Sequence, residues 1–282
     1  MATILLAGCG AIGTALGQQL QAAGHQVYGL RRSAVALPFP CLQGDLHQPL
    51  PADLLPAGIH YVVHTGTPAE RSDAGYEAGY PRALRHLLDA LQEHPLRRLV
   101  FVSSTAVYHQ TDGSWVDEDS PTRPQRFNGR RVLEAETLLR DAGVPGTSVR
   151  FGGIYGPGRT WLMRRVRAGA EVQASPPKYT NRIHQDDCVG LLAFLIQRVE
   201  QGFQPPPILV GVDDAPAPEQ EVCQWLAQQL NTPPPRRVQA ADSAPRNKRC
   251  RNQRLHQLGY RLRYPSYREG YSALLAESGA AW

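Results

Sequence analysis

The stretch TILLAGCGAIGTAL, residues 3–16, decides the fold of this chain. Its first part is an apolar run that predicts a buried strand, and its second part predicts the start of a helix that ends at Ala23. Between the two, Gly8, Gly10 and Gly13 follow the spacing G-x-G-x-x-G. In a strand–turn–helix unit such glycines permit a tight turn, a close approach of the backbone to a pyrophosphate, and close packing of helix on strand. The stretch therefore predicts the first unit of a dinucleotide-binding fold.

The first half of the chain repeats this alternation of strand and helix. Apolar runs predict strands at residues 3–8, 26–30, 40–45, 59–65, 98–104 and 147–153. Apolar periodicity predicts helices at 12–23, 76–93 and 129–142. Strands that alternate with helices form a parallel sheet covered on both faces. The expected fold class is therefore α/β, with a doubly wound parallel sheet of the Rossmann type.

The pattern changes after residue 155, where proline clusters separate a few helices. We expect a Rossmann domain over residues 1–155, with a returning segment near 183–212, and a smaller substrate-binding lobe over 156–282. The helices predicted for the later part of the chain lie at 161–168, 186–200, 219–230, 252–258 and 267–276.

Composition and charge exclude several classes of protein. Hydrophobic residues make up 42% and charged residues 20%, without an apolar run of membrane-spanning length, so we expect neither disorder nor a membrane partner. The chain passes from Met1 directly into a strand without the features of a signal peptide, which favours a cytoplasmic location. The five cysteines are widely spaced and lack a CxxC pair, so we expect reduced thiols and no metal site. A net charge of +5 is mild for a nucleic-acid binder, and no nucleic-acid partner is expected.

The positive charge is concentrated near the end of the chain. Between Arg236 and Arg268, ten basic residues accompany a single acid, Asp242. This segment is either a solvated surface or a groove for an anionic substrate.

The residues after the second predicted strand indicate which dinucleotide binds. A NAD-binding protein places an acid there for the ribose 2′-hydroxyl, whereas this chain has Leu30, Arg31, Arg32 and Ser33. Arginine pairs bidentately with phosphate, which a carboxylate would repel. The sequence therefore favours NADP(H) over NAD(H); the alternative is that the two arginines only cover the surface after a strand.

Further motifs resemble, in order and spacing, the extended short-chain dehydrogenase/reductases of the NAD(P)-dependent epimerase/dehydratase family. They are GDL (44–46), VVHTGTP (62–68), FVSSTAVY (101–108), RFGGIYGPGR (150–159) and NRIHQDDCVG (181–190). Together with the glycine turn they extend the resemblance over nearly the whole chain.

The resemblance and the glycine turn together imply a set of cofactor contacts. The pyrophosphate is assigned to Gly8, Gly10, Ala11, Ile12 and Gly13, and the adenosine end to Arg31, Arg32, Asp45 and Leu46. The nicotinamide end is assigned to Thr65, Gly66, Thr67, Ser103 and Ile154.

The stretch RFNGRRVLEAE, residues 126–136, departs from the family pattern. The family has Tyr-Gly-x-x-Lys here, and the register set by Gly129 and Glu136 puts Asn128 and Val132 in the Tyr and Lys positions. An amide has no accessible proton at neutral pH, and valine offers neither charge nor hydrogen bond. The chain therefore resembles an atypical subgroup that keeps the cofactor domain and lacks the acid/base pair.

Three functions remain compatible with this loss. The protein is an oxidoreductase on a small carbonyl, imine or enone substrate with an unusual proton donor, or a catalytically silent NADP(H)-binding sensor or regulatory module, or a protein that uses the nucleotide structurally. The resemblance favours the first. It implies that Ser104 is the family's Ser or Thr that polarises the substrate oxygen and that YGPG (155–158) closes over the nicotinamide end, neither of which a pure binding module needs. Candidate catalytic residues are Ser104, Tyr108, Asn128 and Tyr155, and candidate substrate contacts are Arg159 and Arg182. The family also suggests a homodimer through the helices at 76–93 and 129–142.

Overall fold

The chain folds into two compact units. The computed structural model describes residues 1–51, 53–239 and 247–277. The first unit consists of Met1–Tyr108, Thr122–Arg150 and Val189–Leu209, and the second of His109–Pro121, Phe151–Cys188 and Val210–Trp282. The chain thus enters the second unit at residue 151, where we expected a boundary at 155, and residues 109–121 belong to it as well. Residues 240–246 and 278–282 of the expected lobe lie outside the described residues.

The strands are short and occur throughout the described residues. In chain order they are β1 (Thr3–Ala7), β2 (Gln26–Arg31), β3 (Cys41–Gln43), β4 (Ile59–His64), β5 (Arg98–Ser104), β6 (Trp115–Val116), β7 (Gly146–Phe151), β8 (Gly153–Tyr155), β9 (Glu171–Gln173), β10 (Tyr179–Thr180), β11 (Arg182–His184), β12 (Ile208–Gly211), β13 (Ala217–Pro218), β14 (Arg236–Val238) and β15 (Arg249–Cys250).

The helices alternate with the strands. They are α1 (Ala11–Ala22), α2 (Asp73–Glu77), α3 (Ala83–Ala90), α4 (Phe127–Asp141), α5 (Trp161–Arg167), α6 (Gln185–Glu200), α7 (Glu219–Gln229), α8 (Gln253–Gln257) and α9 (Tyr267–Glu277). A π-helical turn, Ala78–Arg82, joins α2 to α3, and a 3₁₀ turn, Thr105–Val107, follows β5. Within the described parts of the chain, no helix is both long enough and apolar enough to cross a membrane.

Seven parallel strands form the central sheet in the order β12-β7-β5-β4-β1-β2-β3. Strand β1 pairs with β2 on one side and with β4 on the other, so the strand order reverses direction at β1. This is the doubly wound arrangement, and the expected α/β Rossmann fold is confirmed. In such sheets ligands bind beyond the carboxyl ends of the strands at this reversal, where the glycine turn lies.

Burial explains why these segments form the sheet and its covering helices. Four of the five residues of β1 are buried, as expected for a strand covered on both faces. On α1 the buried side chains Ile12, Leu16 and Leu20 recur every four residues and face the sheet. The helix ends before Gly24, whose φ of +86° is a conformation that glycine adopts readily.

The helix predicted over 76–93 and the strand predicted over 147–153 are among the elements whose bounds differ from the prediction. The helix predicted over 76–93 begins earlier, at Asp73, and widens into the π-helical turn around Pro81, which has no backbone N–H to donate. The strand predicted over 147–153 ends at Phe151, and the next strand, β8, pairs with β11 instead.

The second unit has its own core and four small two-stranded sheets. The pairs β8–β11, β9–β14 and β6–β15 are parallel, and β10–β13 is antiparallel. Its core contains side chains from α5, α7 and α9, among them Met163, Leu226 and Tyr271.

Candidate functional site

The loops after β1 and β4 meet at two glycines. Gly8 has a φ of +78°, and its N–H donates to the carbonyl oxygen of Leu30 over 3.0 Å. A methyl group added at Gly8 would collide with the Cα atom of Gly66. Both the backbone conformation and the close approach therefore require glycine at position 8.

The start of α1 is open to a ligand. Gly10 is its N-cap residue, makes no side-chain cap, and is followed by a first turn without an acid. A methyl group added at Gly10 would have no neighbour closer than the carbonyl oxygen of Gly8, at 4.0 Å. The first N–H groups of a helix lack intrahelical partners and carry partial positive charge. This end of the helix is suited to bind a pyrophosphate.

Gly13 permits α1 to pack closely on the strands. A methyl group there would lie 3.2 Å from both the Cys9 Sγ and the Thr65 Oγ1 atoms. The Thr65 hydroxyl donates to the carbonyl oxygen of Gly8 over 3.0 Å, which ties the loop after β4 to the glycine turn. Burial raises the pKa of the Cys9 thiol, so this cysteine stays protonated.

A cleft in the first unit gathers most of the predicted cofactor residues. The predicted residues that line it are Gly8, Gly10, Arg31, Arg32, Asp45, Leu46, Gly66 and Thr67. Ala11, Ile12, Gly13 and Thr65 lie beside it on α1 and after β4, without lining it. The fit to a dinucleotide is good because the open helix end and two arginines border the same cleft.

The cleft also contains residues that the sequence analysis did not assign. These are Cys9, Leu30, Ser33, Gly44, His47, His64, Gly79 and Ala83. His47 follows the Asp-Leu motif directly, and its N–H donates to the Asp45 Oδ1 atom over 3.0 Å. Its position after that motif is the signal that could have identified it. Gly79 and Ala83 belong to the π-helical turn and α3, and no motif marks them.

His64 is an unusual member of this cleft. It is fully buried, and neither ring nitrogen has a hydrogen-bond partner among the described residues. Burial lowers the pKa of His64 to about 4, so the ring is neutral at physiological pH. Its ring lies 5.6 Å from that of Phe101, and a methyl group added at Gly66 would come within 3.2 Å of its Cε1 atom.

Two predicted residues, Ser103 and Tyr108, belong to a buried polar network. The Ser103 hydroxyl donates to Glu136, whose carboxylate also accepts from Arg150 over 2.7 Å. Arg150 donates in turn to the Tyr108 hydroxyl over 3.0 Å. Tyr108 is only 1% exposed, and this arrangement gives both side chains partners inside the protein.

Ser104 and Asn128 lie on elements that pack together. Ser104 ends β5, and its hydroxyl oxygen accepts from the Ala106 N–H over 3.1 Å. Asn128 is half-buried in the first turn of α4. A methyl group added at the next residue, Gly129, would collide with the carbonyl oxygen of Ala106, so α4 rests on the turn after β5.

The remaining predicted residues lie in the second unit. Ile154 and Tyr155 are on β8, Arg159 is exposed in the following turn, and Arg182 begins β11. Tyr155 is buried against Tyr271, with ring centres 4.4 Å apart, and burial raises its pKa. The roles assigned to these four residues stay predictions.

Arg182 and Asp213 bring two charges into the core of the second unit. Arg182 is 6% and Asp213 1% exposed, and each has one side-chain atom without a hydrogen-bond partner among the described residues, Nη1 and Oδ2 respectively. Burial raises the pKa of Asp213 to about 7, against the opposing effect of the Arg182 charge. A buried carboxyl of this kind holds its proton in slightly acidic solution.

The chain is similar to known proteins in its sequence and in its structure. Protein YeeZ of Escherichia coli (strain K12) is 30% identical over 72% of this chain and 76% of its own length. A 3-diazoavenalumate denitrifying reductase of Streptomyces sp. is 29% identical over 95% of this chain and 98% of its own. The solved structure of a NAD-dependent epimerase/dehydratase from Methylobacillus flagellatus is 37% identical, covers 98% of both chains and superposes with a TM-score of 0.81.

The match to a family model covers most of the chain. Residues 4–211, which include the glycine turn, the cleft and the central sheet, match the NAD dependent epimerase/dehydratase family. The chain therefore belongs to the NAD-dependent epimerase/dehydratase family.

Proposed function

We propose that the protein is an NADP(H)-dependent oxidoreductase that reduces a small carbonyl, imine or enone compound. The observation that carries the cofactor preference is the adenosine end of the cleft, where Arg31, Arg32 and Ser33 stand after β2 in place of an acid. Two guanidinium groups and a hydroxyl suit a 2′-phosphate, whereas an acid would bind a ribose 2′-hydroxyl and repel phosphate. Bound in this cleft, the cofactor would supply a hydride.

The other cleft residues would each contact a different part of the cofactor. The open start of α1 with Gly10 would hold the pyrophosphate. Asp45 and Leu46 would contact the adenine end, and Gly66 and Thr67 the nicotinamide end.

We further propose that this chain belongs to an atypical subgroup without the acid/base pair of the family. Asn128 and Val132 occupy the Tyr and Lys positions, and Val132 is 1% exposed, as expected for a core residue. Ser104 is the proposed hydrogen-bond donor to the substrate, because its oxygen accepts from Ala106 and its own proton stays available. An activated double bond or an iminium needs little acid help during reduction.

Calorimetric titration with NADPH and NADH tests the cofactor preference. We expect Arg31→Gln and Arg32→Gln each to weaken NADPH binding about tenfold, since a charge-assisted hydrogen bond contributes roughly 1.5–3 kcal/mol, and to change NADH binding little. Arg85→Gln, an exposed arginine on α3, is the matched control. Equal affinity of the unaltered protein for the two nucleotides would contradict the preference.

A second candidate function is a catalytically silent NADP(H) sensor, favoured by Asn128 and Val132. Oxidation of NADPH should be followed with a panel of carbonyl, imine and enone compounds. Turnover that Ser104→Ala reduces supports the reductase, and turnover that Ser104→Ala leaves unchanged removes Ser104 from the mechanism. If NADPH binds and no compound is reduced, the sensor is the better description. The reductase from Streptomyces among the relatives supports the first outcome.

A further inference from the structure

The second unit presents a cluster of aromatic and guanidinium groups that the proposed function does not use. The aromatic–arginine cluster consists of Trp115, Tyr179, Arg249 and Arg251. The Cζ atom of Arg249 lies 4.8 Å from the ring centres of both Trp115 and Tyr179. The Cζ atom of Arg251 lies 5.1 Å from the ring centre of Trp115. Two cations thus stand at cation–π distance from one indole.

Hydrogen bonds hold the cluster in place. Trp115 on β6 pairs in register with Arg249 on β15, and the Arg249 Nε–H donates to the carbonyl oxygen of Gly113 over 2.7 Å. Asn247 is 4% exposed, and its Oδ1 atom accepts from the Tyr179 N–H over 2.8 Å. The backbone of Trp115, Tyr179 and Arg249 and the guanidinium group of Arg249 are therefore held in place without a ligand, which lowers the entropic cost of binding one.

The charge of this cluster has no close counter-ion among residues 1–51, 53–239 and 247–277. Over the described ranges, no carboxylate lies within 4.0 Å of the guanidinium groups of Arg249 or Arg251. Trp161, another exposed tryptophan, offers an internal comparison, because its neighbour Arg165 forms an ion pair with Glu219 over 2.5 Å. Trp115 is 43% exposed beside two arginines that lack such a partner.

We propose that the aromatic–arginine cluster binds a planar aromatic carboxylate. The ring of such a ligand stacks on the indole or on a guanidinium plane, and its carboxylate pairs with a guanidinium group through two parallel hydrogen bonds. Arginine also pairs bidentately with phosphate, so uridine monophosphate serves as the competing aromatic anion in the test below. None of the four residues of the cluster lines the cofactor cleft, so binding to the cluster is measured without nucleotide.

Calorimetry on the full chain without cofactor tests the ligand class. Cinnamate is the probe; cinnamyl alcohol has the ring without the charge, and 3-cyclohexylpropanoate has the charge without a planar ring. We expect cinnamate to bind at least about fivefold more tightly than either, because each comparison removes one of the two interactions. Binding should weaken as salt is added. Undetectable cinnamate binding, or binding equal to that of the cyclohexyl compound, overturns the proposal.

Substitutions test whether cinnamate binds at the aromatic–arginine cluster. Trp115→Leu and Arg251→Gln should each weaken cinnamate binding about 5- to 10-fold, and Trp115→Phe should retain most of it. Trp161→Leu and Arg261→Gln, another exposed arginine of the same unit, should leave it unchanged. Thermal unfolding and NADPH affinity of each variant report an intact fold. Cinnamate binding that survives Trp115→Leu overturns the proposal, as does a protein that binds uridine monophosphate and not cinnamate.

Discussion

At the scale of single residues, the buried carboxyl group of Asp213 in the second unit makes the stability of the protein depend on pH. Asp213 is almost fully buried, and one of its carboxylate oxygens has no hydrogen-bond partner among the described residues. An unfolded aspartate ionises near pH 4, whereas burial raises the pKa of folded Asp213 to about 7. Between these values the folded protein holds a proton that the unfolded chain releases. The free energy of unfolding should therefore fall as the pH rises from 4 to 7 and level off above 7.

Asp213→Asn should remove this dependence. An amide cannot ionise and keeps a similar shape, so we expect the variant to gain stability relative to the unaltered protein as the pH rises from 5 to 8. The gain over this range is limited to about 3 kcal/mol, because about two pK units lie between pH 5 and the folded pKa of about 7, at about 1.4 kcal/mol each. Urea unfolding at several pH values measures the difference, and Asp112→Asn, an exposed aspartate of the same unit, is the control. A constant difference across this range would refute the assigned ionisation.

A substitution of Gly10 should weaken cofactor binding with little effect on folding. The neighbours of Gly10 leave room for a methyl group, unlike those of Gly8. Gly10→Ala should change the free energy of unfolding by no more than about 1 kcal/mol. It should weaken NADPH binding at least about tenfold, because the methyl group projects into the space at the start of α1 where the backbone must approach the pyrophosphate. Calorimetry and urea unfolding test both statements, with Gln18→Ala on the exposed side of α1 as control; unchanged affinity would place the pyrophosphate elsewhere.

At the scale of elements, Gly129 and Glu136 on α4 attach this helix to the rest of the first unit. Gly129 permits contact with the turn after β5, and Glu136 joins α4 to β5 and β7 through Ser103 and Arg150. These contacts do not involve Asn128 and Val132, which we propose stand in place of the family's reactive pair. The position of α4 thus depends on packing and a buried ion pair, which do not require the acid/base residues.

Glu136→Ala should be strongly destabilising. It leaves the buried Arg150 guanidinium without its carboxylate, and breaking a buried pair in this way costs about 3–5 kcal/mol. Glu134→Ala on the exposed side of the same helix removes a surface pair with Arg131 and should cost no more than about 0.5 kcal/mol. Denaturant unfolding compares the two variants. Similar losses from both would show that the Glu136–Arg150 pair contributes no more than a surface contact.

The sequence predicted most elements because their signals are local. Buried strands and apolar periodicity located six of the seven strands of the central sheet, α1 and α4, and Gly24 marked the end of α1. Strand β12 was expected only as part of the returning segment near 183–212. The start of α4 was placed two residues late, because its N-cap residue, Arg126, makes no side-chain cap that a sequence could reveal. At the helix predicted over 76–93 a signal existed and was missed, since the Ser72 hydroxyl caps α2 by accepting from the Gly75 N–H over 3.0 Å.

The candidate site was predictable where it depends on a motif and not where it depends on distant contacts. The glycine turn and the arginines after β2 were identified from spacing alone and line one cleft. The partners of Ser103 and Tyr108 could not be identified, because Glu136 and Arg150 lie far along the chain and only the fold brings them together.

At the scale of the whole molecule, a homodimer stays a proposal that rests on the family resemblance. An interface through α3 and α4 would cover Leu133, which is half-buried on α4. We expect sedimentation to show a dimer that Leu133→Glu dissociates and that Arg164→Glu, on α5 of the second unit, leaves intact. A monomer at micromolar concentration would contradict this proposal.

The division of the chain into two units predicts which segments the cofactor should protect from amide hydrogen exchange. All residues that line the cleft belong to the first unit, although that unit is assembled from three separate segments. A ligand that binds only the folded state stabilises it by about 2.7 kcal/mol at one hundred times its dissociation constant. We therefore expect saturating NADPH to slow amide hydrogen exchange most strongly in β1, the start of α1 and the loops after β2, β3 and β4, and NADH at the same concentration to do so less. Protection by NADPH that is strongest in α7 and α9, which form the core of the second unit, would contradict the proposed cofactor site.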